Sequence, residues 1–242
     1  MKKGICILAL ALIAFPLPSA PTQAADDPLA AVLRRGGYTV SLDLTVKKKG
    51  RSTLRRALSN LVDEQPNAFA TGFVVGDGLV MTAHHTVSGK LSAYKKKLLG
   101  FAPDDQLEVE ARVKDCQATV VKVDEEADLA LLRVCSAQKR VGAPAFQASP
   151  GQDERLLVIA RPGGDKSVRH GTYSGSYEFR GRQYLAAKME GRDGYSGSPV
   201  YNDRAEIVGV FIGYDWAQKV ALITPAVRAQ KLLEDYISNP TQ

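Results

Sequence analysis

The chain has 242 residues, of which 45% are hydrophobic and 24% charged, with 21 Gly, 12 Pro and a formal net charge of +6. This is the composition of a globular protein of one or two units, and it excludes a collagenous, coiled-coil or wholly disordered chain.

Lys2 and Lys3 precede an uncharged stretch over 4–25, whose short apolar core runs into Pro16, Pro18 and Pro21. A basic start, a brief apolar run and small residues at Thr22, Ala24 and Ala25 read as a secretory signal peptide over 1–25, not a membrane anchor. Cys6 lies inside the apolar core, where a lipoprotein anchor is not expected. Removal takes two lysines and no acid, so the charge falls from +6 to +4, and the expected location is the periplasm or the exterior.

Residues 26–37 read as a short N-terminal helix, with Asp27 as cap, Pro28 in the first turn and Gly36 and Gly37 as the stop. Beyond it the pattern changes to short apolar or alternating runs at 38–46, 69–75, 79–83, 107–113, 118–123 and 128–134, which are strand signals. Val75-Gly76-Asp77-Gly78 between two of them is a hairpin turn. Residues 137–152 are small, polar and proline-containing and read as a linker between a first unit over 38–136 and a second over 153–242. Strand patterns resume at 155–160, 167–179, 182–189, 206–214 and 219–223, and a terminal helix over 225–237 places Val227, Leu232, Leu233 and Tyr236 near one face. Two β-rich units of this size fit a pair of small antiparallel barrels.

Two basic clusters stand out, Lys47, Lys48, Lys49, Arg51, Arg55 and Arg56, then Lys95, Lys96 and Lys97. Without interleaved aromatic residues they read as solvated loops, and no nucleic-acid partner is expected. After residue 25 two cysteines remain, Cys116 and Cys135. If the turn preceding 128 spans 124–127, facing residues have numbers that add to 251, which pairs Cys116 with Cys135 across one hairpin and predicts a disulfide. Two buried free thiols, or a bulge that puts the two side chains on opposite faces of the hairpin, are the alternatives. No metal-ligand spacing occurs among three histidines, so no metal is expected.

The chemistry-bearing strings are LVMTAHHTV at 79–87, DLALL at 128–132 and GYSGSPV at 194–200. A serine hydroxyl needs an imidazole to accept its proton, and the imidazole needs a carboxylate to fix its tautomer. Glycines around a serine let its turn expose the hydroxyl and aim backbone N–H groups at one point. Two facts oppose an α/β-hydrolase elbow: Ser198 stands where its motif ends in Gly, and no histidine follows His170, whereas that fold places its His after the nucleophile.

In this order, with TAHHT, DLALL and GYSGSPV, most of the chain resembles the trypsin-like (chymotrypsin-fold) serine peptidases. Among them it is similar to the exported bacterial high-temperature-requirement proteases and glutamyl endopeptidases, whose nucleophile motif also continues SGSPV. The resemblance implies an all-β fold of two six-stranded antiparallel barrels, a short N-terminal helix and a C-terminal helix. It implies His85 as general base, Asp128 as orienting acid, Ser196 as nucleophile and the Gly194 and Ser196 N–H groups as oxyanion donors. His84 fills the small position before the base, and His170 reads as structural. Glu190, Phe211 and Gly213 would border the substrate, with a surface Glu190 as the alternative. Substrates would be proteins or peptides, with no cofactor.

The chain also departs from the family. Tyr195 stands where animal trypsins keep the Asp that pairs with a newly cut amino terminus, so activity without that processing is expected. Val210-Phe211-Ile212-Gly213 lacks the histidine of the glutamyl endopeptidases, and no appended peptide-binding domain is expected after the terminal helix. The competing function is a catalytically inactive relative that uses its basic clusters to hold an anionic partner. The oligomeric state and the residue preferred before the scissile bond stay open.

Overall fold

A computed structural model of the chain describes residues 36–50, 66–135, 145–147 and 149–239, together with Ala30, Leu33 and Arg34. The expected signal peptide, most of the 26–37 helix, the basic residues Arg51, Arg55 and Arg56, and most of the 137–152 linker lie outside the described residues.

Strands β1 (Thr39–Lys48), β2 (Ala68–Gly76), β3 (Leu79–Ala83), β4 (Leu107–Val113), β5 (Cys116–Asp124) and β6 (Leu129–Arg133) close one antiparallel barrel in the order β1-β2-β3-β6-β5-β4. Strands β7 (Arg155–Ala160), β8 (Ser167–Phe179), β9 (Arg182–Lys188), β10 (Pro199–Asn202), β11 (Ile207–Asp215) and β12 (Val220–Pro225) close the second, β7-β8-β9-β12-β11-β10, with the same order. The fold is all-β and chymotrypsin-like. Between β3 and β4 come a one-turn helix, α1 (His84–Val87), and a short helix, α2 (Ala93–Leu98), and the last element is α3 (Ala226–Ser238).

The alternation of side chains along each strand divides the core into three. Val80, Ala130 and Leu132 point into the first barrel with Val40, Leu42 and Val74. Leu156, Val158 and Ala160 fill the second with Val200, Phe211 and Ile223. The residues between them, Met81, Leu129, Leu131, Leu157 and Ile159, form a layer with Tyr201, Ile207 and the inner face of α3. Strands β3, β6 and β7 are therefore buried on both faces, which is why they read as unbroken apolar runs. In α3 the buried face is Ala226, Ala229, Leu232, Leu233 and Tyr236; Val227, expected on it, is 52% exposed. The small alanines let the helix approach where a valine at 227 lies one residue off the stripe.

The 75–78 turn forms as expected, with Gly78 at φ 64 and its carbonyl accepting from the Val134 N–H. The expected hairpin register is corrected. Asp124 faces Leu129 and Val123 faces Ala130, so facing numbers add to 253, and a bulge at Val121 brings Thr119 opposite Arg133, where they add to 252. Asp128 belongs to the turn, at φ 55, and does not open the strand. Cys116 and Cys135 are joined by a disulfide beyond the last paired rung, with Cα atoms 5.8 Å apart.

Within the segment expected as a linker, Phe146 bridges to Ile207 and the Ile207 N–H donates to the Ala145 carbonyl, so this piece runs along the second barrel. The lysine clusters are partly neutralised: Lys47 meets Glu110 at 3.0 Å and Lys48 meets Asp105 at 2.8 Å. Lys96 donates to the Pro103 and Asp105 carbonyls. Hydrogen bonding from Lys48 outweighs burial and holds the Asp105 carboxyl below its ordinary value.

Candidate active site

Strand β3 ends at Ala83, and the chain turns at once into α1, which lifts His85 over the edge where the two barrels meet. The turn into β6 rises to meet it. The Asp128 carbonyl accepts the His84 N–H at 2.9 Å, and Asp128 Oδ1 accepts the His85 N–H at 2.8 Å. Its positive φ, which Asp tolerates better than most residues, lets backbone and side chain face the same helix. The second carboxylate oxygen, Oδ2, lies 2.7 Å from His85 Nδ1. A carboxylate with 13% side-chain exposure thus accepts a hydrogen bond on each oxygen.

An ionised carboxylate only accepts, so Nδ1 carries the imidazole proton and Nε2 presents its lone pair. Ser196 Oγ lies 3.0 Å from that Nε2, and 3.3 Å from the Ile212 carbonyl. The structure thus brings His85, Asp128 and Ser196 into one hydrogen-bonded chain, while the His84 side chain stands outside it. His170 sits exposed on β8, opposite Leu157.

Ser196 rides on a turn that only glycine permits at two places. Gly194 has φ 84, and a Cβ there would lie 2.6 Å from Pro162 Cβ. Gly197 has φ 87, and a Cβ there would collide with the Thr71 carbonyl and Thr82 Oγ1. Backbone bonds fix the rest: Gly197 N–H to the Phe211 carbonyl at 2.8 Å, and Ser198 N–H to the Tyr195 carbonyl at 3.0 Å. Among the described residues, the Gly194 and Ser196 N–H groups have no hydrogen-bond acceptor. Two such donors beside a hydroxyl suit an anionic oxygen.

Tyr195 is buried, its hydroxyl 2.5 Å from Ser167 Oγ and its ring edge-on to Phe211 at 5.9 Å. An aromatic ring and a neutral hydrogen bond fill this interior position.

A cleft of about 520 Å³ passes His85 and Ser196, walled by Phe69, Leu98, Leu99, Tyr214 and Trp216. Trp216 is 75% exposed and packs edge-on to Tyr214. Of the residues expected at the substrate, Phe211 and Gly213 line this cleft. Glu190 is absent from its lining; it faces solvent, 3.9 Å from Arg169 Nε and 3.7 Å from an Arg192 nitrogen. Behind the cleft floor, a Cβ on Gly191 would lie 2.9 Å from both Phe211 Cζ and Tyr214 Cβ. The contribution of α2 to the wall was not legible in a segment dominated by three lysines. The aromatic pair Tyr214 and Trp216 at a strand end was the available signal for the opposite wall.

The turn before Asp128 is gripped from the other barrel. Thr224 Oγ1 donates to the Ala127 carbonyl at 2.7 Å, and Arg228 of α3 forks onto both oxygens of Asp124 at 2.7 to 3.1 Å. Burial opposes the charge on Asp124, but the Ala127 N–H and the Arg228 guanidinium prevail and hold its carboxyl below the ordinary value. Bonding to Asp124 in turn raises Arg228.

No curated protein matches the chain. The architecture is shared with solved structures of Rv3671c of M. tuberculosis H37Rv. The inactive form of its serine-to-alanine mutant is 18% identical, covering 96% of this chain and 100% of that one with a TM-score of 0.57. The inactive form of the Rv3671c protease is also 18% identical, covering 90% and 98% with the same TM-score. At this identity the likeness is one of fold. Residues 70–210, more than half of the chain, match the family described as trypsin-like peptidase domain, and the protein belongs to that family.

Proposed function

We propose that the protein is an exported serine endopeptidase working through an acyl-enzyme on Ser196. The observation that carries this reading is the run of hydrogen bonds from Asp128 through His85 to Ser196, beside two backbone amides with no acceptor. His85 Nε2 takes the Ser196 proton as Oγ adds to the scissile carbonyl. Asp128 offsets the positive charge then carried by the imidazolium. The carbonyl oxygen, now an anion, is received by the Gly194 and Ser196 N–H groups. Collapse breaks the C–N bond, and the leaving amine takes the proton from His85. Water, deprotonated by the same Nε2, then attacks the acyl carbonyl, and Ser196 recovers its proton as the free acid leaves.

The open cleft that passes His85 and Ser196 supports extended polypeptide as substrate, with cleavage inside the chain. A neutral Tyr195–Ser167 contact supports activity without amino-terminal processing beyond residue 25. The signal-peptide reading and the disulfide between Cys116 and Cys135 support export to an oxidising compartment.

The test is covalent labelling by a fluorophosphonate, with digests of a denatured protein read by mass spectrometry. Labelling and internal cleavage are expected, and both should vanish in Ser196→Ala. Replacing His85 or Asp128 should lower the rate by roughly 10⁴-fold, while His84→Ala should do far less. A native protein that takes no label overturns this reading and favours an inactive binding module.

A further inference from the structure

The two amides that receive the anionic oxygen differ in how they are held. The Tyr195–Ser196 peptide is anchored through its carbonyl, which accepts the Ser198 N–H at 3.0 Å. The Asp193–Gly194 peptide has no such anchor: among the described residues, neither the Asp193 carbonyl nor the Gly194 N–H has a hydrogen-bond partner. Its orientation therefore depends on the backbone angles of Gly194, a residue with φ 84 and every conformational freedom glycine allows.

What fixes Gly194 is a side chain of the first barrel. Thr71, in the middle of β2 and fully buried, donates its hydroxyl to the Gly194 carbonyl at 2.7 Å. The Thr71 hydroxyl oxygen in turn accepts the Arg161 N–H at 2.9 Å. A backbone amide can only donate, so the single hydroxyl proton of Thr71 is directed at Gly194 and cannot rotate away without leaving a partly buried carbonyl unpaired. Thr71 also gives its own N–H to the Ser196 carbonyl at 3.0 Å, and its carbonyl is pinned by Thr82 Oγ1 at 2.8 Å. Pro162, next to Arg161, packs on the open side of Gly194.

We infer that Thr71 is a positioning residue for the oxyanion-binding amides: its hydroxyl, acting through the Gly194 carbonyl, sets the orientation of the Asp193–Gly194 peptide. It touches no reacting atom. The inference rests on the peptidase reading above and adds a residue from the opposite barrel to it.

The experiment compares Thr71→Val, which keeps the shape and removes the hydroxyl, with Thr71→Ser, which keeps the hydroxyl. Acylation by p-nitrophenyl acetate is followed in the burst phase, together with binding of an alkylboronic acid, whose tetrahedral serine adduct places an oxygen at the two amides. Thr71→Val should slow acylation by roughly 10²-fold, with KM changed little, because one oxyanion donor is mis-aimed. Boronate affinity should fall in parallel, and Thr71→Ser should restore both to near the native values. If Thr71→Val does not fold, Thr71→Cys, with its weaker donor, takes its place and should fall between native and the full loss. A hydroxyl-free or thiol variant that acylates at the native rate overturns the inference. Equal losses in Thr71→Val and Thr71→Ser also overturn it, since they report packing. Native protein that neither acylates nor takes up fluorophosphonate overturns the peptidase reading itself, a result distinct from either.

Discussion

The two barrels share one strand order yet hold their site residues by opposite means. In the first, His85 and Asp128 are side chains that must be aimed, and they are aimed by polar groups: a carboxylate anchored on α1, an Arg228 fork on the preceding turn, and a disulfide at the far end of the same hairpin. In the second, the Ser196 turn presents peptide groups, and these are aimed by glycines at positive φ and by backbone bonds. Each arrangement is braced from the opposite barrel. Thr224 and Arg228 of the second hold the turn before Asp128, and Thr71 of the first holds the turn before Ser196. A constellation built at a seam is rigid only when both sides contribute, and neither barrel carries a complete site by itself.

The comparison breaks most sharply at Gly197. A Cβ at this position meets the Thr71 carbonyl and Thr82 Oγ1 and lies 2.9 Å from the Ala83 nitrogen, at a φ of 87 that alanine resists. Relief requires the turn to move away from the first barrel. Gly197→Ala should lose at least roughly 10³-fold in fluorophosphonate labelling rate and melt at a lower temperature, because both oxyanion amides and Oγ shift together. An alanine variant with native labelling would show that the turn is not held by this contact.

A smaller effect is expected on the first barrel's side. The disulfide closes a loop with a sequence separation of 19, which in the chain-entropy model contributes about 3 kcal/mol. Replacing both cysteines by serine should lower the urea midpoint accordingly, while acylation changes less than about tenfold, since the bridge sits at the end of the hairpin away from Asp128. A large loss of activity with little loss of stability would reverse the assignment and make the bridge part of the site's alignment.

Much of this was legible in the sequence, for identifiable reasons. Strands β3, β6 and β7 announce themselves because both faces are buried, and Gly194 and Gly197 announce themselves because no other residue tolerates their angles. The order His85, Asp128, Ser196 was readable because each sits at the end of such a strand or inside such a turn. Strand β10 was hidden within the Ser196 motif, since four residues that begin with a proline carry too little pattern to separate from a loop. The hairpin register was missed because the bulge at Val121 leaves no local mark: Val120, Val121 and Val123 suit either side of a strand. Thr71 was invisible as a braced position, because its importance lies in partners 90 and 123 residues away. Repetition of strand order between the barrels left no internal repeat either, since packing asks only for apolar residues of suitable size at alternate positions.

The grip of the second barrel on the Asp128 turn is tested by Arg228→Met, which keeps the aliphatic stem over α3 and removes the fork. Asp124 then keeps its bond from the Ala127 N–H but loses its cation. With Arg228 at 34% side-chain exposure the loss should be modest, about 1–2 kcal/mol. A fall in kcat at nearly unchanged KM should accompany it if the turn carries Asp128 with it. Stability and kcat both at native values would mean that Thr224 and the disulfide suffice.

The smallest expected effect is the most specific to charge. The Asp124 carboxyl is held below its ordinary value, so in the folded protein it binds its proton less readily than in the unfolded chain, whose carboxyl titrates near about 4. Its stabilisation is therefore complete at neutral pH, begins to fade as the pH drops through that unfolded value, and is gone below the folded one. Asp124→Asn lacks the charge at every pH. Arg228, the cation facing this carboxylate, stays charged throughout, and Glu126, which shares it, remains in both proteins. Asp105, Asp215 and Glu206 are also held low and contribute an acid dependence of their own, yet they are common to both proteins and cancel in the difference. The gap in urea stability between native protein and Asp124→Asn should thus be widest near pH 6 and shrink toward pH 3. A gap that stays constant across this range would assign the grip on the Asp128 turn to shape and neutral hydrogen bonds, leaving the ion pair with Arg228 no part in it.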